Sequence, residues 1–173
     1  PAPESSQKRP LSQGANPYSD ITCLEAINLI GKNIVQAVND PSEENYDALM
    51  FSGMLAGIGF GNAGCHLPHG MSYAVAGLVK DYQPDGWPAD HAMVPHGISV
   101  IVNSPAVFRK TGPACPERHW EAANAMGADL TDKNMEDGGE ILADQIISMM
   151  RDTGIPNGLS GVGYSMSDLD ALT

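Results

Sequence analysis

Two short segments hold three of the five histidines, the side chains best suited to metal binding or to proton transfer near neutral pH. The segments are Gly64-Cys65-His66-Leu67-Pro68-His69-Gly70-Met71-Ser72-Tyr73 and Val94-Pro95-His96-Gly97. Four of the five histidines fall between positions 66 and 96. Neutral imidazole is a ligand for zinc, iron, copper and nickel, and it exchanges protons near neutral pH. The cluster therefore points to a metal or to acid/base chemistry. In each Pro-His-Gly tripeptide the proline fixes the entry to a turn or helix and the glycine lets a backbone or an ion come close, so each places an imidazole at a helix mouth.

Residues three, four and seven apart share a helix face, as His66, His69 and Tyr73 would. Pro68 interferes with that phase. Inside a helix it would remove one hydrogen bond and crowd the carbonyl of Gly64, so the helix either starts near Leu67 or kinks there. The pairing of His69 with Tyr73, one turn apart, survives both options, whereas the phase of His66 does not. A single histidine in an apolar, glycine-rich stretch is more often a hydrogen-bonded core residue than a ligand, and it is the doubled tripeptide that shifts the balance. No zinc-finger or His-Glu-x-x-His spacing is present.

The elements that must position these residues read as helices. Ser19 or Asp20 is expected to cap a first helix, with Leu24, Ile27, Ile34 and Val38 at helical spacing up to Asn39. Asp40-Pro41-Ser42-Glu43 supplies a second start, with Asp40 as cap, and that helix carries Tyr46 to about Phe60 into the histidine segment. Gly53, Gly57 and Gly61 recur every four residues and predict a bare face against which a neighbouring helix packs closely. Gly57-x-Gly59-x-Gly61 lacks the strand, helix start and acidic residue of a dinucleotide fingerprint and reads as packing.

A helix from Pro68 to Lys80 follows, then a polar loop over 81–93 with Pro84, Gly86 and Pro88. Pro95-His96-Gly97 opens a helix through Ile98, Val100, Ile101 and Val102, although its β-branched residues also allow a short strand. Cys115-Pro116-Glu117 opens another to Met126, stopped by Gly127, and Met135 or Glu136 begins an amphipathic helix to Asp152, stopped by Gly154. His119, beside Arg118 and Glu117, reads as a solvated surface residue. Ser165-Met166-Ser167-Asp168 begins a last short helix. With no sustained strand alternation, the fold class is all-α. Residues 1–17, with Pro1, Pro3, Pro10 and Pro17, read as an irregular lead-in, and residues 18–173 as one helical metal and substrate domain cut at both ends.

Composition narrows the function. The 173 residues carry 21 acidic against 9 basic side chains, a formal net charge of −12, which argues against a nucleic-acid partner because phosphate binding rests on lysine and arginine. Cys23, Cys65 and Cys115 form no Cys-x-x-Cys and read as reduced thiols in an intracellular compartment. Ala48 to Val79 contains no Asp, Glu, Lys or Arg, yet its seven glycines from Gly53 to Gly77 and its polar Asn62, His66, His69 and Ser72 make a membrane span the wrong reading.

Gly59-Phe60-Gly61-Asn62-Ala63-Gly64, His66-Leu67-Pro68-His69-Gly70-Met71-Ser72-Tyr73, Val94-Pro95-His96-Gly97 and Pro105-Ala106-Val107-Phe108 with Pro116-Glu117-Arg118-His119 resemble the group III, iron-containing alcohol dehydrogenases, within them the hydroxyacid-oxoacid transhydrogenase branch. The resemblance implies the C-terminal helical domain of such an enzyme without its N-terminal α/β nucleotide-binding domain. It implies a divalent metal, Fe²⁺ or Zn²⁺, held by one aspartate and three histidines. His69 and His96 match two of these four ligands, the others belonging to a helix that would precede Pro1. Many members carry a histidine where Tyr73 stands, near the nicotinamide. A phenol titrates far from neutral pH, so His66 stands beside Tyr73 as the alternative proton relay.

The implied reaction is hydride transfer from 4-hydroxybutyrate to 2-oxoglutarate, giving succinic semialdehyde and 2-hydroxyglutarate. A nicotinamide cofactor, NAD(P), bound mainly by the other domain, carries the hydride, and the metal polarises the reacting oxygen. The implied compartment is the mitochondrial matrix in a eukaryote and the cytoplasm otherwise, and a homo-oligomer is compatible with the resemblance. Two rivals remain open. One is an ordinary NAD(P)-linked metal-dependent alcohol dehydrogenase that releases its cofactor each turn; the other is a non-catalytic helical module.

Overall fold

Asn16 starts the first helix. Its side-chain oxygen accepts from the amides of Tyr18 and Ser19, both at 3.1 Å, while Ser19 Oγ takes the Asn16 amide at 3.0 Å, a reciprocal cap with Pro17 at the first helical position. The cap expected at Ser19 or Asp20 thus lies earlier, because Pro17 has no N–H to leave unsatisfied. The computed structural model of the protein describes residues 4–8, 14–87 and 90–172. Of the expected lead-in, Pro1, Pro3 and Pro10 lie outside the described residues, as does Pro88 of the later loop; Ser6–Lys8 form a single 3-10 turn.

Helix α1 spans Pro17–Asn39 and α2 spans Glu43–Ala63. The Asp40 amide is already bonded to Gln36 O at 2.7 Å, so Asp40 closes α1, and Ser42 caps α2 by accepting from the Asn45 amide. The two helices run antiparallel, with Asn45 bonded to Asn33 at one end and Gly59 against Ser19, Thr22 and Cys23 at the other. Here the expectation for the glycines is corrected. A Cβ on Gly59 would collide with Cys23 Sγ, whereas Gly53, Gly57 and Gly61 have nothing within 4 Å of that position. The period-four glycines lie on a face with exposed Tyr46, Met50, Met54 and Phe60, so among the described residues the expected close helix contact is not made on this face.

Helix α3 spans Leu67–Gly77, α4 His96–Ile101, α5 Ser104–Thr111, α6 Pro116–Ala125, α7 Gly138–Asp152 and α8 Leu169–Leu172. The β-branched run after His96 is helical, and no strand occurs among the described residues. The fold is the expected all-α one. Helix α5, unassigned from the sequence, follows a break at Val102 and Asn103 and places Pro105 in its first turn. Gly127 and Gly154 follow α6 and α7 with φ of +90° and +73°, the backbone their stop positions require.

Leu142, Ala143, Ile146 and Met150 form the buried stripe of α7. Leu142, Ile146 and Met150 join Val75 of α3, Ala123 of α6, Val94, Val102, Val162 and Tyr164 in one core. Helices α5 and α7 meet where Gly112 and Gly139 face each other; a Cβ on Gly139 would sit 2.6 Å from the Phe108 carbonyl. No single helix among the described residues is long and apolar enough to cross a membrane, and α2 and α3 are bent by 106° relative to each other.

Candidate metal centre

The bend between α2 and α3 falls at Gly64-Cys65-His66. Gly64 takes φ of +84° as the C-cap that follows α2, and His66 is the extended N-cap of α3. Pro68 is the second residue of α3, where its missing N–H costs nothing, so the helix starts at Leu67 without a proline in its interior. His69 then sits in the first turn. His96 is the first residue of α4, entered through Pro95. Both imidazoles stand at helix mouths, as the tripeptides predict.

The two segments meet. His69 Nε2 and His96 Nε2 are 3.2 Å apart, with ring centroids at 4.6 Å and planes at 70°. Two nitrogens bound to one tetrahedral zinc-like ion, each at about 2.0–2.1 Å, would be about 3.3–3.4 Å apart. With both rings in the Nδ1–H tautomer, neither Nε2 carries a proton and both have a lone pair available to a ligand site. The donor chemistry and spacing fit half of a divalent-metal site. Among the described residues no group of three or more His, Cys, Asp or Glu is gathered in this way.

Tyr73, one turn beyond His69, meets its ring edge-on at 6.3 Å and is 69% exposed. The structure therefore brings His69, His96 and Tyr73 together. His66 points elsewhere: its ring stacks on Phe108 of α5 at 6.3 Å and 19°. It lines a mostly apolar cleft of about 460 Å³ that also includes Ile27, Phe108, Arg118 and His119. The N-cap position explains the difference, since a residue outside the helix does not follow helical phase. Asp90 and His91 are exposed and bond to each other at 2.8 Å; that bond lowers the Asp90 carboxyl pKa.

His119 is not the solvated residue expected. It is 8% exposed, with Nε2 at 3.0 Å from Thr111 Oγ1 and Nδ1 at 3.0 Å from the Cys115 carbonyl. Its ring meets Phe108 edge-on at 5.7 Å. It shares the buried face of α6 with Ala123, four residues on, and that spacing was the available signal. The three cysteines are free thiols, and burial, then the charge of Asp20, pushes the Cys23 thiol pKa up.

A further pair escaped the sequence reading. Ser72 Oγ donates to the His69 carbonyl at 2.6 Å, and Ser99 Oγ to the His96 carbonyl at 2.7 Å. Both serines are essentially buried. Extending the tripeptide comparison by two residues would have found them.

Two imidazoles thus converge from two helix mouths of an all-α domain. The family model for the C-terminal part of the Fe-containing alcohol dehydrogenase family matches residues 11–173, and the chain belongs to that family. It is similar to the mitochondrial hydroxyacid-oxoacid transhydrogenases of Xenopus laevis, 46% identical over 173 residues, and Homo sapiens, 44% identical over 173 residues; each match covers 99% of this chain and 37% of the relative. Among solved structures it is similar to a 1,3-propanediol oxidoreductase, with a TM-score of 0.79 and 29% identity over 92% of this chain and 39% of that one. The chain thus spans little more than a third of the length of these relatives.

Proposed function

We propose that this chain is the metal-carrying helical part of an oxidoreductase that transfers hydride between a hydroxyacid and an oxoacid, 4-hydroxybutyrate and 2-oxoglutarate. The observation that carries the reading is the convergence of His69 Nε2 and His96 Nε2 at 3.2 Å. The similarity to transhydrogenases supports the substrate class. The word mitochondrial in the relatives' names supports that compartment.

In this reading His69 and His96 hold Fe²⁺ or Zn²⁺ with two further ligands from outside the residues described. Bound there, the ion supplies Lewis-acid polarisation of the substrate oxygen beside a nicotinamide that carries the hydride. The chain's own residues do the positioning. Nδ1–H tautomers of both histidines keep the Nε2 lone pairs free, and each ring is oriented by the first turn of its helix. Tyr73, beside the His69 ring, offers a phenolic hydroxyl that holds or passes a proton at Oη. His66, stacked on Phe108, takes the cleft side and no ligand role.

Similarity to a 1,3-propanediol oxidoreductase and to an Oenococcus oeni alcohol dehydrogenase, each at TM-score 0.79, supports the second reading, a dehydrogenase that releases its cofactor. A steady-state assay of the intact protein separates the two. Given 4-hydroxybutyrate and free NAD without an oxoacid, a transhydrogenase stops after the bound cofactor is reduced. Sustained turnover would overturn the first reading in favour of the second.

A further inference from the structure

The two histidine segments repeat more than a tripeptide. Pro68-His69-Gly70-Met71-Ser72 and Pro95-His96-Gly97-Ile98-Ser99 share proline, histidine, glycine and serine at the same four places. In each the serine hydroxyl donates to the carbonyl of its own histidine, at 2.6 and 2.7 Å, and the serines are 1% and 0% exposed. Water does not reach these hydroxyls, so the histidine carbonyl takes their hydrogen bond. A serine bonding back into the preceding turn bends a helix locally. Here the bond lies in the turn that carries the imidazole.

The bond alone is not distinctive. Thr22, Ser52, Thr111 and Thr153 make the same kind of bond to the preceding turn. What sets Ser72 and Ser99 apart is their identical offset from two histidines whose rings must converge, together with their burial in the two helices, α3 and α4, that pack on each other. We propose that Ser72 and Ser99 are positioning residues for the histidine pair, each setting the first turn of its helix so that the two Nε2 atoms meet at one point. The metal arm of the test below rests on the reading of His69 and His96 as ligands; the ring-geometry arm does not.

Ser52 supplies the control. It is 2% exposed and bonded to the Leu49 carbonyl at 2.8 Å, on a helix that carries no histidine. The experiment compares Ser72→Ala, Ser99→Ala and Ser52→Ala in the intact protein. In the metal-free form with ¹³C-labelled histidine, the ring-to-ring NOE between His69 and His96 is expected to weaken in the first two variants and to persist in the third. In a Co²⁺ titration followed by visible absorption, affinity is expected to fall on the order of tenfold in each of the first two and to hold in Ser52→Ala. An unchanged NOE in both histidine-segment variants, or equal losses in all three, overturns the proposal. A wild-type protein that takes up no Co²⁺ while the NOE responds as expected sinks the metal reading and supports the positioning role.

Discussion

The Tyr164 hydroxyl donates to the Val75 carbonyl at 2.7 Å, inside the core and 89 positions away in sequence. Val75 lies in the last turn of α3, where a carbonyl has no helical donor of its own, so the C-terminal segment caps the helix that carries His69. Tyr164→Phe is expected to leave that buried carbonyl unpaired and to cost about 1–3 kcal/mol of stability in urea unfolding. An unchanged unfolding midpoint would show that the bond contributes nothing to holding α3.

The two histidines are expected to act as one unit. His69→Ala or His96→Ala in the intact protein should abolish stoichiometric metal, whereas His66→Ala, whose ring lies against Phe108, should leave it in place. Metal analysis after dialysis reads the difference. Loss of metal in His66→Ala would reassign the ligands.

Two donors make a weak chelate. The 173-residue chain by itself is expected to hold Fe²⁺ or Zn²⁺ only loosely and to show no dehydrogenase activity; one equivalent of metal surviving dialysis would contradict this.

Gly57 and Gly59 should respond in opposite directions. A Cβ at Gly59 meets Cys23 Sγ and Thr22 Oγ1, so Gly59→Ala overpacks the α1/α2 contact at a cost of about 1–3 kcal/mol. Gly57 faces open space, and Gly57→Ala is expected to gain up to about 1 kcal/mol from helix propensity. Thermal unfolding of the two variants gives the signs.

Asp168 is one source of acid sensitivity in the fold. Its hydrogen bond with Lys80 Nζ, at 2.6 Å, and then its bonds from Ser165 hold the carboxyl pKa at about 2. Because the folded-state pKa lies below the ordinary carboxylate value of about 4, the contribution is present above that pH and is lost as pH falls toward about 2. Asp168→Asn should flatten this part of a Tm profile taken from pH 6 to pH 2. An identical slope in both proteins would remove Asp168 from the account.

Much of the fold was legible because helical periodicity and stop signals are local. Gly127, Gly154 and the Ser165 to Asp168 cap stand where the sequence put them. Helix starts were less so, since Asp40 and Ser42, or Asn16 and Ser19, are competing caps, and the choice turns on which amide is already bonded. The glycine stripe of α2 failed for a different reason: periodicity shows that a bare face exists but not whether anything lies against it. His119 failed likewise, because its burial depends on Thr111 and the Cys115 carbonyl from the preceding turn. At the site, the doubled tripeptide pointed to His69 and His96, whereas the direction of His66 depended on where α3 begins.

The Met93 amide bonds to the Tyr82 carbonyl at 2.8 Å and closes the neck of the loop that joins the two histidine segments. Each imidazole carries its own proline, glycine and serine, and none of these comes from beyond that neck. The separation of the two rings is therefore insulated from the length of the excursion between Tyr82 and Met93. A foreign sequence grafted between Tyr82 and Met93 is expected to leave the His69–His96 pair undisturbed.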